Sequence, residues 1–222
     1  MFFSAYIYIQ DSLLLMIEFL NIDNTAFSIL GYDLSYIELI GTLFGLLSVV
    51  LAARANILTW PTGIINEVAF FLLFYQVQLY SDMYLQVYFF GVTVYGWYYW
   101  KNQTEENSVD TLSKKWRLRI ILILIITTIL SGFFISNIHL YFPRIFSQPA
   151  AYPYWDALTT VSSIIATILL SRKIIETWIL WILVDLISVI LYLLKGINLV
   201  AIEYFIFLII CIAGFIYWKK KL

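Results

Sequence analysis

Residues 172–189 read RKIIETWILWILVDLISV. A basic pair opens the stretch, and in the sixteen residues that follow only Glu176, Thr177, Asp185 and Ser188 are polar. A water-facing helix would keep one polar stripe along its whole length, and this one does not. Trp178, Trp181 and Asp185 fall at i, i+3 and i+7, one face of a helix that Ser188 extends by a further turn. The composition says what surrounds it. Of 222 residues 63% are hydrophobic, 12% are charged, and the mean hydropathy is +0.90. A soluble domain is nearer half apolar and a quarter charged, so too little polar surface remains to cover a globule in water. The chain reads as an integral membrane protein.

Seven apolar runs of 17–21 residues lie near 36–53, 58–77, 82–100, 118–136, 155–171, 174–194 and 198–218. Each is long enough to cross a hydrocarbon core of about 30 Å as helix. They are apolar on all sides rather than at alternate positions, so the expected class is all-α and not a β-barrel. With the N-terminus outside, eleven Lys/Arg residues fall inside: Arg54, Lys101, Lys114, Lys115, Arg117, Arg119, Arg172, Lys173 and Lys219–Lys221. Only Arg144 and Lys195 fall outside. That asymmetry predicts N-out and C-in. Residues 1–20, interrupted by Gln10, Asp11 and Glu18, read as an amphipathic interfacial helix, with an eighth span as the alternative. They show neither the basic start nor the small-residue site of a signal peptide.

An ungapped shift of 118 residues lays 38–101 on 156–219. Arg54 meets Arg172, Thr59 meets Thr177, Trp60 meets Trp178, Gly96 meets Gly214, and Tyr99-Trp100-Lys101 meets Tyr217-Trp218-Lys219. Each repeat holds three spans, so a single connecting span makes the repeats parallel, a plan used by transporters with a midplane site. The expected organisation is an N-terminal interfacial segment (1–35), a three-helix repeat (36–101), a linker with a connecting helix (102–154) and a second three-helix repeat with a basic end (155–222).

Polar groups inside these spans are the candidate site. A mid-helix carboxylate costs roughly 2.5–3.5 kcal/mol on insertion scales. Asp185 lies eleven residues into its span, and Glu67 aligns with it beside Asn66. Gln86 aligns with Tyr204, next to Glu203. Recurrence at matched depth favours a shared cavity over interhelical glue, whereas Gln76 reads as glue. Trp181 faces the ligand; Trp97, Trp100 and Trp218 close spans beside lysines and read as an aromatic belt. Glu38 and Asp156 begin equivalent spans, where acids suit the helix dipole. Gly41 and Gly45 form a GxxxG suited to close helix packing. One cysteine (Cys211) and one histidine (His139) give no metal or haem set, no cofactor is expected, and no nucleophile array or nucleic-acid surface is legible. An aromatic pair beside an acid, with amides opposite, suits a flat cationic ring carrying hydroxyls.

The runs QLYSDMYLQVYFFGVTVYGWYYW (78–100) and YWDALTTVSSIIATILLSRKIIETWILWILVDLISV (154–189) resemble the PnuC-type nicotinamide riboside transporters of bacteria. Leu85-Gln86, Tyr95-Gly96-Trp97 and the WxxW of 178–181 carry the resemblance, which covers about 36–219. It implies a SWEET-like three-one-three fold in the bacterial inner membrane. It also implies facilitated uptake of nicotinamide riboside, trapped by a cytosolic riboside kinase. Carried over by position, Trp178 and Trp181 supply the aromatic contact and Asn66 and Gln86 are polar ligands. Asp185 stands where the family pattern has asparagine, so a ligand and a structural role both stay open. The alternatives are another vitamin, thiamine before riboflavin, or a proton-coupled carrier using Glu67, Asp185 and Glu203. From other classes come a membrane scaffold or receptor and an intramembrane enzyme. A homo-oligomer is compatible with so small a carrier.

Overall fold

The computed structural model describes residues 18–29, 31–78, 80–103, 109–143, 148–194, 196 and 198–222. Most of the N-terminal stretch read as interfacial helix or eighth span lies outside the described residues, as do Arg144 and Lys195. Among the described residues there are seven helices: α1 (Tyr36–Ala53), α2 (Thr59–Gln76), α3 (Tyr80–Lys101), α4 (Lys114–Tyr141), α5 (Pro153–Ser171), α6 (Glu176–Leu194) and α7 (Asn198–Lys219). The protein is an all-α membrane protein. Five of the helices are long and apolar enough to cross a membrane. The other two are α2, interrupted by Asn66, Glu67 and Gln76, and the tyrosine-rich α3. Helix α4 begins before the predicted 118 and ends beyond 136. Its 28 residues reach about 42 Å, so its basic first turns extend past the hydrocarbon.

One element was not expected. A two-stranded antiparallel hairpin, β1 (Thr25–Ile29) and β2 (Tyr32–Ser35), precedes α1. Gly31 takes φ +82° in its turn, a conformation that costs glycine little. The hairpin leads straight into a capping box. The Ser35 amide and hydroxyl donate to Glu38 at 2.8 and 2.7 Å, and the Glu38 amide donates back to the Ser35 hydroxyl at 3.4 Å. Glu38 thus acts through specific bonds as well as through the dipole. Tyr32 also donates to it, and that bond, with partial burial and the carboxylate charge, pushes the phenol up to about 12.

The chain divides into two compact units, one within Met1–Ser48 and Leu58–Val94, the other from Val49–Ile57 and Tyr95–Leu222. In the first, Ile37, Ala69 and Leu73 form a buried core. The GxxxG reading holds: Phe70 lies over Gly41 and Asn66 over Gly45, where a Cβ would come within 2.8 Å of the amide nitrogen. Gln76 is glue, but to the N-terminal segment. It accepts from the Ile22 amide and donates to the Leu20 carbonyl, both at 3.0 Å.

In the second unit α4 packs on α5, α5 on α6 and α6 on α7. The segment before α4 is tied to the start of α6. Asp110 donates to the Lys173 carbonyl and accepts from the Ile175 amide, each at 2.9 Å. Glu176 accepts from the Arg117 guanidinium at 2.7 Å and from Thr111 at 2.9 Å.

The 118-residue shift also relates two turns of the structure. Helices α1 and α5 end in the same turn. After α1, Ala55 donates to the Ala52 carbonyl (2.8 Å) and Asn56 to Leu51 (2.9 Å); after α5, Lys173 donates to Leu170 and Ile174 to Leu169, both at 3.0 Å. The left-handed residues are Ala55 at φ +53° and Lys173 at +54°. Beyond each turn a threonine hydroxyl reaches back to the preceding helix, Thr59 to the Ser48 carbonyl at 2.9 Å and Thr177 to that of Ala166 at 2.8 Å. A side chain in the left-handed region costs about 1 kcal/mol relative to glycine. Ala55→Gly therefore stabilises the protein by up to about 1 kcal/mol. Thermal unfolding in detergent checks this, and a lower midpoint would show that the Ala55 side chain contributes more by packing.

The belt reading of Trp100 and Trp218 is corrected. Both are buried, at 5% and 0% exposure, and both indoles donate to main-chain carbonyls. Trp97, at 38%, keeps the exposure a belt residue needs.

Candidate functional site

In the first unit Glu67 is buried on α2, four residues beyond Gly63. The absence of a Cβ there leaves room between Ser48, Thr93 and the Glu67 carboxylate. Thr93 on α3 donates to Glu67 Oε1 at 2.5 Å, while Oε2 has no partner among the described residues. Asn66 is half-buried and donates to the Gly41 carbonyl at 2.8 Å, so one of its amide hydrogens is held by α1. Gln86 is half-buried on α3.

The second unit repeats the acid. Asp185 is 3% exposed on α6, and the Cys211 thiol of α7 hydrogen-bonds to its carboxylate. Its Oδ2 has no partner among the described residues. Cys211 is the 118-residue counterpart of Thr93, so in both repeats a small donor on the third helix meets an acid on the second. A buried carboxylate with one partner is under-solvated, and an added donor or cation is favoured there. One turn beyond Asp185 the buried Ser188 pairs with the Tyr204 hydroxyl of α7, next to Glu203 in the chain. Tyr192 stacks on Tyr204 with centroids 5.4 Å apart and planes 13° from parallel. Sequence reasoning missed Thr93, Cys211 and Tyr192.

The two tryptophans of the stripe differ. Trp178 is 1% exposed and packs edge-on against Trp218 at 5.5 Å. Its ring lies on Gly214, where a Cβ would come within 3.0 Å of three ring atoms. Trp178 is thus held by protein on α7, whereas Trp181, one turn on, is half-buried and has surface left to offer. The Trp178 indole nitrogen is buried and has no hydrogen-bond partner among the described residues.

Among the described residues no group of three or more His, Cys, Asp or Glu is arranged to hold a metal ion. A groove of about 450 Å³ between α4 and α5 is lined by Leu130, Phe134, Val161 and Ile164 among others and takes none of the candidate residues.

Residues 35–220 match the family described as nicotinamide mononucleotide transporter. The nicotinamide riboside transporter PnuC of Escherichia coli is 35% identical over 208 residues, 85% of this chain and 87% of the relative. The riboflavin/roseoflavin transporter RibM of Streptomyces davaonensis is 25% identical over 172 residues, 76% of this chain and 77% of that protein. The crystal structure of the vitamin B3 transporter PnuC superposes with a TM-score of 0.62 at 22% identity, over 84% of this chain and 81% of that one, so the fold is shared. A match over residues 35–220, with the same fold and a third of the residues identical to PnuC, means that the chain belongs to this family of membrane transporters, the PnuC-type carriers.

Proposed function

We propose that the protein carries nicotinamide riboside into a bacterial cell across the cytoplasmic membrane, by facilitated diffusion through alternating access of the two repeats. The observation that carries this is Asp185: a buried carboxylate with a free oxygen, beside Ser188 and Tyr204, in a chain 35% identical to a riboside carrier. The riboside is a pyridinium cation bearing a ribose. Trp181 offers its indole face to the cationic ring, an attraction of roughly 0.5–2 kcal/mol. Asp185 compensates the charge, and Ser188 and Tyr204 match the ribose hydroxyls as donors and acceptors. Trp178 acts by positioning Trp181 from the packed side. Glu203 of α7 belongs to the same proposed set, and Asn66, Glu67 and Gln86 form the matching polar set within the first unit.

The N-terminus lies outside and the basic C-terminus in the cytosol, where a riboside kinase traps the substrate by phosphorylation. Uniport predicts that liposomes containing only the purified carrier equilibrate labelled riboside to equal concentrations inside and out, with or without a proton gradient. Accumulation above equality that an uncoupler collapses would replace uniport with proton coupling through the buried acids.

A further inference from the structure

Trp100 and Trp218 end the third helix of each repeat, and each bonds to the first helix of the other. Trp218 Nε1 donates to the Ala52 carbonyl at 3.1 Å, and Trp100 Nε1 donates to the Leu170 carbonyl at 3.3 Å. A shift of 118 residues turns one bond into the other, since 100 becomes 218 and 52 becomes 170. The rings lie 6.2 Å apart. This is an isologous contact, the kind a two-fold axis creates, placed where both first helices end.

We propose that this reciprocal pair of indole bonds is the inner gate of the carrier, a latch holding the basic end of the bundle shut until substrate leaves toward the cytosol. The proposal deepens the transport reading above and rests on it for the direction of opening. Three features suit a bond that breaks and reforms. Both acceptor carbonyls already take a turn hydrogen bond, from Ala55 at 2.8 Å and from Lys173 at 3.0 Å, so the indole uses the second lone pair and its departure orphans no carbonyl. The two bonds are equivalent, so one movement breaks both, which favours discrete closed and open states over a graded series. The latch also touches the substrate helix α6. Trp178 lies edge-on to Trp218, one turn from Trp181, and the Lys173 ammonium sits 4.9 Å from the Trp100 ring centroid. A ligand that shifts α6 therefore acts on the latch directly.

The test uses full-length protein in phospholipid vesicles, with Cys211→Ser to remove the native thiol while keeping a donor to Asp185. Ala53→Cys serves as reporter, buried beside the acceptor residue Ala52. A membrane-impermeant maleimide is applied from each side in turn. Trp→Phe keeps an aromatic ring, smaller than the indole, and deletes the N–H. Trp100→Phe and Trp218→Phe should each speed labelling from the cytosolic side about 2–12-fold, the range a net hydrogen bond confers, and the double variant by roughly the product. Unchanged labelling in folded, riboside-binding protein overturns the latch and leaves the transport reading standing. Faster labelling in protein that binds no riboside supports the latch and removes the substrate. Faster labelling only from the opposite side supports the latch and reverses the orientation. If the double variant does not fold, Trp100→Phe alone carries the test.

Discussion

Trp181→Ala lowers the affinity for nicotinamide riboside at least about 30-fold while leaving the unfolding temperature close to that of the parent protein. A buried aromatic anchor in a binding site is worth about 2 kcal/mol or more on truncation, which corresponds to that factor. Trp181 is only half-buried on α6, so its loss opens a smaller cavity than loss of a fully buried ring and leaves the bundle intact. Trp178→Ala gives the opposite pattern. Trp178 is packed on Gly214 and against Trp218, and removing such a ring costs about 3–5 kcal/mol of stability. Calorimetric titration and thermal unfolding of both variants separate the roles. Undiminished binding by a folded Trp181→Ala protein would take Trp181 out of the site.

Asp185→Asn weakens binding of the cationic riboside about 30-fold or more and that of its uncharged dihydropyridine form only a few-fold. Truncating one partner of a buried charged pair costs about 2–5 kcal/mol, and the neutral ring forms no such pair. The substitution is close to isosteric, and the amide oxygen still accepts from Cys211, so the α6–α7 contact survives. Equal losses for both ligands would make Asp185 a structural acid. The relation to Glu67 sharpens this. Each acid has one oxygen bonded to the third helix and one without a partner among the described residues.

The helices were legible because apolar runs of membrane length announce themselves, and the boundaries moved mainly where polar turns extend a helix, as at Lys114 and Tyr141. The repeat was legible from Arg54, Thr59 and their partners, since those residues form the helix ends and the turns between them. The acid partners could have been found by the same shift, because Thr93 and Cys211 both lie 26 residues beyond the acid they meet. The N-terminal hairpin lies beyond the 1–20 stretch read as interfacial helix, and its strands of five and four residues are too short for their pattern to stand out. Trp100 and Trp218 looked like belt residues because a lysine follows each. Whether an indole meets headgroups or another helix depends on packing between distant segments, and no local pattern carries it. The same is true of the difference between Trp178 and Trp181, which Gly214 decides from across the bundle.

The most direct measurement of the central claim is parallel titration of the purified protein with nicotinamide riboside, thiamine and riboflavin. The riboside should bind saturably and the other two should not, with binding lost in Trp181→Ala. Thiamine binding in its place would keep a cation over tryptophan and change the cargo. Riboflavin binding, or no binding by folded protein, would contradict a site built around Trp181 and Asp185 for a cationic riboside.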